Sequence, residues 1–143
     1  MKIHLSLWQK MALAAAAFAV AIPGFMIKLP SVFSHYDKQL HSLFYFLAAG
    51  FLNILFAKRS LLIHAFIFAG LYAFGMAIEY AQQYSNTYFQ QRIHGNADPE
   101  DIHANLTGLI AFSSLWMVYL VIAYIARPGN DNTASGDIQK EQK

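Results

Sequence analysis

Three groups of polar residues punctuate a chain that is otherwise largely hydrocarbon. They are Asp37-Lys38-x-x-His41-x-x-x-Tyr45, then Glu79-x-x-Gln82, then Arg92 followed by Asp101-x-x-x-Asn105-x-x-Gly108. Asp37, His41 and Tyr45 recur every fourth residue, so on a helix they share one face. Asp37 can accept a hydrogen bond from His41 there, raising its basicity or fixing its tautomer. Glu79 closes a long apolar run, where a carboxylate needs a partner or a proton. Lys38 and Arg92 are its candidate counter-ions, and His41 its candidate proton partner. Asp101, Asn105 and Gly108 continue one face of a further helix, the glycine letting another helix approach closely. The candidate binding residues are therefore Asp37, Lys38, His41, Tyr45, Glu79, Gln82, Arg92, Asp101 and Asn105. Glu79 and His41 are also the candidates for an acid/base pair.

Several of these residues have a plainer reading. Asp98 fits a helix N-cap, Pro99 the first helical position, and Glu100 and Asp101 the acidic first turn. Capping accounts for Asp98 and Glu100 but does not require Asn105. Lys38 can extend to the interface on its alkyl stem. Glu79 and Gln82 can lock the third helix to the second. His64 reads as a packing or interfacial histidine, and Tyr36, Tyr80, Tyr84, Tyr88 and Phe89 as an interfacial aromatic belt. His35, His94 and His103 lie on the same side as the acids. No pair shows a ligand spacing such as H-E-x-x-H, so neither a metal nor another cofactor is expected.

The elements that position these groups follow from composition. Of 143 residues, 57% are apolar and only 13% charged, against about 25% charged in a typical soluble domain. The net charge of +2 is small and the basic residues are scattered, which argues against nucleic-acid binding. With no cysteine there is no disulfide, zinc-thiolate site or cysteine nucleophile. A membrane helix needs about 20 mainly apolar residues. Four such spans are predicted, at about 11–29, 40–57, 61–80 and 104–126, the first interrupted at Pro23-Gly24. The expected fold is all-α, a four-transmembrane-helix bundle over 1–126 with a disordered tail over 127–143. A signal peptide is the alternative for the first span, but its apolar run continues past Pro23 to Leu29 without a clear cleavage site.

Lys2, Lys10, Lys58, Arg59, Arg127, Lys140 and Lys143 fall on one side of this topology, and Lys28, Lys38 and Arg92 on the other. The positive-inside rule then makes both termini cytoplasmic. Glu79 lies eighteen residues beyond Leu61, about 27 Å along a helix axis. That depth matches the outer starts of the second and fourth spans, where His41 and Asn105 lie.

In this order the motifs resemble the VanZ-like family of small bacterial membrane proteins. Asp37, Lys38, His41 and Tyr45 match its first motif, Glu79 and Gln82 its second, and Asp101, Asn105 and Gly108 its last. Arg92 is similar to the family's lone arginine, although the interval from Arg92 to Asp101 is longer here and leaves Asp98 as a second candidate for the family aspartate. The resemblance covers about half the chain, from Asp37 to Gly108. It implies a multi-pass protein of the bacterial inner membrane and cell envelope, linked to resistance to the glycopeptide teicoplanin. The expected role is binding of an envelope precursor, such as a lipid-linked phosphate or peptidoglycan precursor, through an outward polar site among membrane lipids. An intramembrane enzyme using Glu79 and His41, and a structural or accessory membrane protein, are the alternatives. Neither a substrate nor an oligomeric state follows from the sequence.

Overall fold

The computed structural model describes residues 5–26, 36–90 and 98–126. Four helices follow one another: α1 (Leu7–Met26), α2 (Asp37–Leu52), α3 (Leu61–Phe89) and α4 (Pro99–Ile125). All four are long and apolar enough to cross a membrane, α2 by counting the turn that prolongs it to Ala57. Large apolar side chains cover the outside of the bundle, among them Leu43, Leu47, Ile54, Phe66 and Ile122. Such a surface is stable only against lipid or another apolar partner, and the chain is a multi-pass membrane protein. The tail at 127–143 lies outside the described residues.

The helices are longer than the apolar runs that announce them. α2 begins at Asp37, three residues before the predicted span, because its first turn is polar but helical. α3 continues nine residues past Tyr80 to Phe89. Its 29 residues reach about 43 Å, well beyond a hydrocarbon core of about 30 Å. α4 starts at Pro99, as its capping signature predicts: Asp98 Oδ1 accepts from the Glu100 N–H at 2.9 Å. α1 begins four residues early and continues one turn beyond Pro23.

α2 ends in a π-helical turn, Asn53–Ala57. Lys58, with φ 51°, reverses the chain, and Ser60 caps α3 by accepting from Ile63 N–H at 3.4 Å. Three residues therefore suffice to join two antiparallel helices.

The most extensive packing is between α2 and α4. Gly108 makes it possible: a Cβ there would collide with the backbone carbonyl oxygen of Ser42 and lie 3.1 Å from Phe46 N. Tyr45, Ala49, Leu71 and Leu109 form the buried centre, joined by Phe18, Phe25, Phe44, Phe74 and Phe112. α1 is peripheral. None of its residues is fully buried, and it docks through Phe18 on Phe74, edge to face at 5.0 Å, and Phe25 on Phe44 at 4.7 Å.

Candidate functional site

α2 presents Asp37, His41 and Tyr45 on one face, and α4 presents Asp101, Asn105 and Gly108 on the face opposite. Because Gly108 lets the backbones meet closely, these two stripes interdigitate. His41 Nδ1 lies 2.9 Å from Asn105 Oδ1. An amide oxygen only accepts, so Nδ1 of this ring carries a proton and donates it. His41 Nε2 then faces Asp37 Oδ1 at 3.8 Å and Asp101 Oδ2 at 4.0 Å. The expected Asp37–His41 pairing is present as a close charge contact, longer than a hydrogen bond.

α3 closes the site from the third side. Gly75 lies where a Cβ would come within 2.9 Å of both Tyr45 Oη and Asn105 Nδ2, so the missing side chain makes room for these two polar ends. One turn further on, Glu79 is 2% exposed, and its Oε2 accepts from the Asp98 N–H at 3.1 Å. Glu79 thus holds the entry of α4, where the helix dipole favours an anion. Its second oxygen, Oε1, and Asp101 Oδ1 are both buried without a hydrogen-bond partner among the described residues. Glu79 makes no hydrogen bond to His41. The candidate acid/base pair is separated in this arrangement, His41 engaging Asn105, Asp37 and Asp101 instead.

Gln82 shares the Glu79 face, but its amide donates to the Phe25 carbonyl of α1 at 2.9 Å. It locks α3 to α1 rather than to α2. Phe25 in turn lies over His41 at 5.0 Å and near Tyr45 at 6.1 Å, an apolar wall on one side of the imidazole. Lys38 is not merely extended to the interface. Its Nζ pairs with Glu100 and lies 3.6 Å from Asp98 Oδ2, joining the starts of α2 and α4. Both partners are largely exposed, so these ion pairs contribute little to stability. They do commit the only lysine of the layer, among the described residues, to carboxylates. Asp101, not Asp98, is the aspartate that faces His41.

Arg92, with His35 and His94, lies outside the described residues. His103 is exposed, on the face of α4 away from Asp101 and Asn105. Tyr80, Tyr84 and Tyr88 are exposed along one stripe of α3, as an interfacial belt requires.

Comparison with family models, with curated proteins and with solved structures gives no match.

Two features escape the sequence. One is Gly75, whose signal is only the absence of a side chain in a helix that packs closely. The other is a second buried polar layer at the opposite end. Asn53 Nδ2 donates to Ala49 O at 2.7 Å, and Asn53 Oδ1 lies 2.8 Å from His64 Nδ1. His64 Nε2 lies 3.2 Å from Ser113 Oγ, and its ring stacks on Trp116 at 5.8 Å. Asn53 is fully buried, and an amide inside an apolar span is the available clue. His64 is a packing histidine, as expected, with two polar partners.

Proposed function

We propose that this chain is a VanZ-like integral membrane protein of the bacterial cell envelope, and that its polar layer binds the headgroup of an envelope precursor bearing a lipid-linked phosphate. The observation that carries this is the convergence of His41, Tyr45, Glu79, Asp101 and Asn105. They come from three helices that meet at one end of the bundle, and they leave Glu79 Oε1 and Asp101 Oδ1 unsatisfied among the described residues. Buried carboxylate oxygens left without a partner are costlier than the neutral Trp116 Nε1 that is also unpartnered beside the Asn53–His64 pair. Protection against teicoplanin-type glycopeptides is the expected phenotype, from the resemblance of the Asp37, Glu79 and Asp101 motifs.

The layer is rich in acid, and Lys38 is already engaged by Glu100 and Asp98. A phosphate therefore needs a mediating positive charge, from Arg92 or from a bound cation. Orientation with both termini in the cytoplasm is supported by seven basic residues on one side against three on the other. Lys10 Nζ donating to Leu55 O at 2.6 Å agrees with it, since it sets the start of α1 beside the Lys58-Arg59 turn.

The test is binding of a labelled polyprenyl-phosphate lipid to the purified protein, with His41→Gln and Glu79→Gln alongside. Glycopeptide sensitivity of cells carrying each variant is read in parallel. The expected result is lost binding and lost protection in variants that remain abundant and folded. Full binding in both variants refutes the site. Loss of abundance together with every phenotype supports a structural role instead.

A further inference from the structure

Asp37, His41 and Asp101 place one nitrogen and two carboxylate oxygens within 4.8 Å of one another. We propose that these three side chains bind a divalent transition-metal ion, of the zinc or manganese type, with Asn105 as the residue that orients the imidazole. The assignment deepens the headgroup-binding role of this layer and rests on it. It reverses the expectation of a metal-free site that the missing H-E-x-x-H spacing suggested.

With Nδ1 donating to Asn105 Oδ1, Nε2 is the nitrogen left to bind a metal, and it faces Asp37 Oδ1 at 3.8 Å and Asp101 Oδ2 at 4.0 Å. Two carboxylates aimed at one ring nitrogen call for a positive charge among them, which a metal ion on Nε2 supplies in place of a proton. A second ring nitrogen held by an amide or carbonyl is the ordinary support of a metal-bound histidine. Tetrahedral zinc with bonds of about 2.1 Å sets its donors about 3.4 Å apart. The two carboxylate oxygens need to draw in on Nε2 by about 0.4–0.6 Å, and on each other, from a separation of at most 4.8 Å, by up to about 1.4 Å.

The burial supplies an independent observation. Asp101 is 6% exposed and its other oxygen, Oδ1, has no hydrogen-bond partner among the described residues. Glu79, 2% exposed and also carrying an unpartnered oxygen, adds negative charge beside it. A carboxylate pair in a low-dielectric bundle end is costly without a compensating charge. Lys38 does not compensate Asp101, since its ammonium pairs with Glu100 and Asp98. Imidazole nitrogen with carboxylate oxygen suits zinc, manganese or iron better than calcium, which takes all-oxygen ligands. Three protein ligands leave open positions. Asp37 is the most exposed of the three, its side chain 35% accessible, so the open side faces the start of α2 and the membrane surface. There the ion can accept a phosphate oxygen and supply the positive charge that the layer otherwise lacks.

The experiment uses the full chain, purified through a tag without histidine, reconstituted in lipid nanodiscs and stripped with chelator. Zn2+ and Mn2+ are titrated by calorimetry, with Ca2+ as the comparator. Bound metal is counted by elemental analysis after desalting. Wild type is expected to retain one equivalent of Zn2+ or Mn2+ in preference to Ca2+. Asp101→Asn and His41→Gln should abolish binding, and Asn105→Ala should weaken it about 10–100-fold. His103→Ala, on the exposed face of the same helix, should bind as wild type does. Asp37→Asn changes a partly exposed side chain at a helix start and leaves the bundle interior intact. It must weaken binding too, which decides the matter if the buried variants misfold. X-ray absorption of the zinc-loaded protein should show a single imidazole nitrogen among oxygens. Absence of binding by folded wild type, or undiminished binding by Asp37→Asn, overturns the assignment. Because the probe is the metal alone, either outcome is read separately from the lipid-phosphate assay.

Discussion

Replacing Gly108 by alanine is the sharpest test of how the two polar stripes are brought together. The added Cβ would meet backbone, not a movable side chain: Ser42 O directly, Ser42 C at 2.9 Å and Phe46 N at 3.1 Å. Carbon atoms pack at about 3.5–4.0 Å, so α2 and α4 must part by about 0.5–1 Å. A gap of that size forfeits about a quarter to a half of each contact's attraction of about 0.1–0.2 kcal/mol. Over the about 40–60 atom pairs that a buried leucine makes, the loss spans about 1–6 kcal/mol with a mid-range value of about 2–3 kcal/mol, within the usual cost of overpacking of about 1–3 kcal/mol. Alanine also favours the helix by about 1 kcal/mol relative to glycine, leaving a net loss of about 1–2 kcal/mol. Gly70 is the internal control. It sits in the same fold, and a methyl added there would have nothing within 4 Å, so Gly70→Ala gains the propensity alone. Equilibrium unfolding in mixed micelles should separate the two variants by about 2–3 kcal/mol. If they fall within about 0.5 kcal/mol of each other, the close approach of α2 and α4 is not what holds this bundle.

Gly75→Ala should behave differently, because its Cβ meets side chains rather than backbone, the buried Tyr45 ring and Asn105 amide. We expect a smaller loss of stability than in Gly108→Ala, with affinity for Zn2+ or lipid phosphate falling about tenfold or more, checked by titration. Asn53→Leu strands the His64 ring nitrogen and should cost about 1–2 kcal/mol. A double-mutant cycle with His64→Leu should return a coupling near the average of about 0.6 kcal/mol for such pairs in membranes. Lys38→Met removes ion pairs that are about half exposed and should change stability by less than about 1 kcal/mol, read from the thermal midpoint. Gln82→Leu releases the Phe25 carbonyl and should make the end of α1 cleavable by protease at concentrations that spare wild type.

The four helices were legible because each is a long apolar run, and the start of α4 because Asp98-Pro99 is a capping signature that the structure reproduces atom for atom. The shared faces of Asp37, His41 and Tyr45, and of Asp101, Asn105 and Gly108, followed from helical period alone. Partners across helices did not. Nothing in the spacing assigns Asp101 rather than Glu79 to His41, or Phe25 to Gln82, because those pairings depend on rotation of one helix against another. Lys38 illustrates the same point, a side chain whose local reading is the interface and whose tertiary partner is Glu100. The Asn53–His64 layer is hidden in the sequence because its members are single polar residues inside apolar runs. Neither stands out until the turn at Lys58 folds α3 back along α2.

That second layer lies fifteen residues along α3 from Glu79, about 22 Å away. Between them the packing is mostly apolar, Gly75 against Tyr45 and Asn105 being the exception. The two polar layers act as pins at either end of α3. Moving α3 by a single turn, about 5.4 Å, would unmatch His64 from Asn53 at one end and Glu79 from Asp98 at the other. Hydrocarbon offers neither residue a replacement partner. The register of the bundle is thereby held at both ends at once, and the geometry around His41 inherits its sharpness from a histidine at the other end of the bundle.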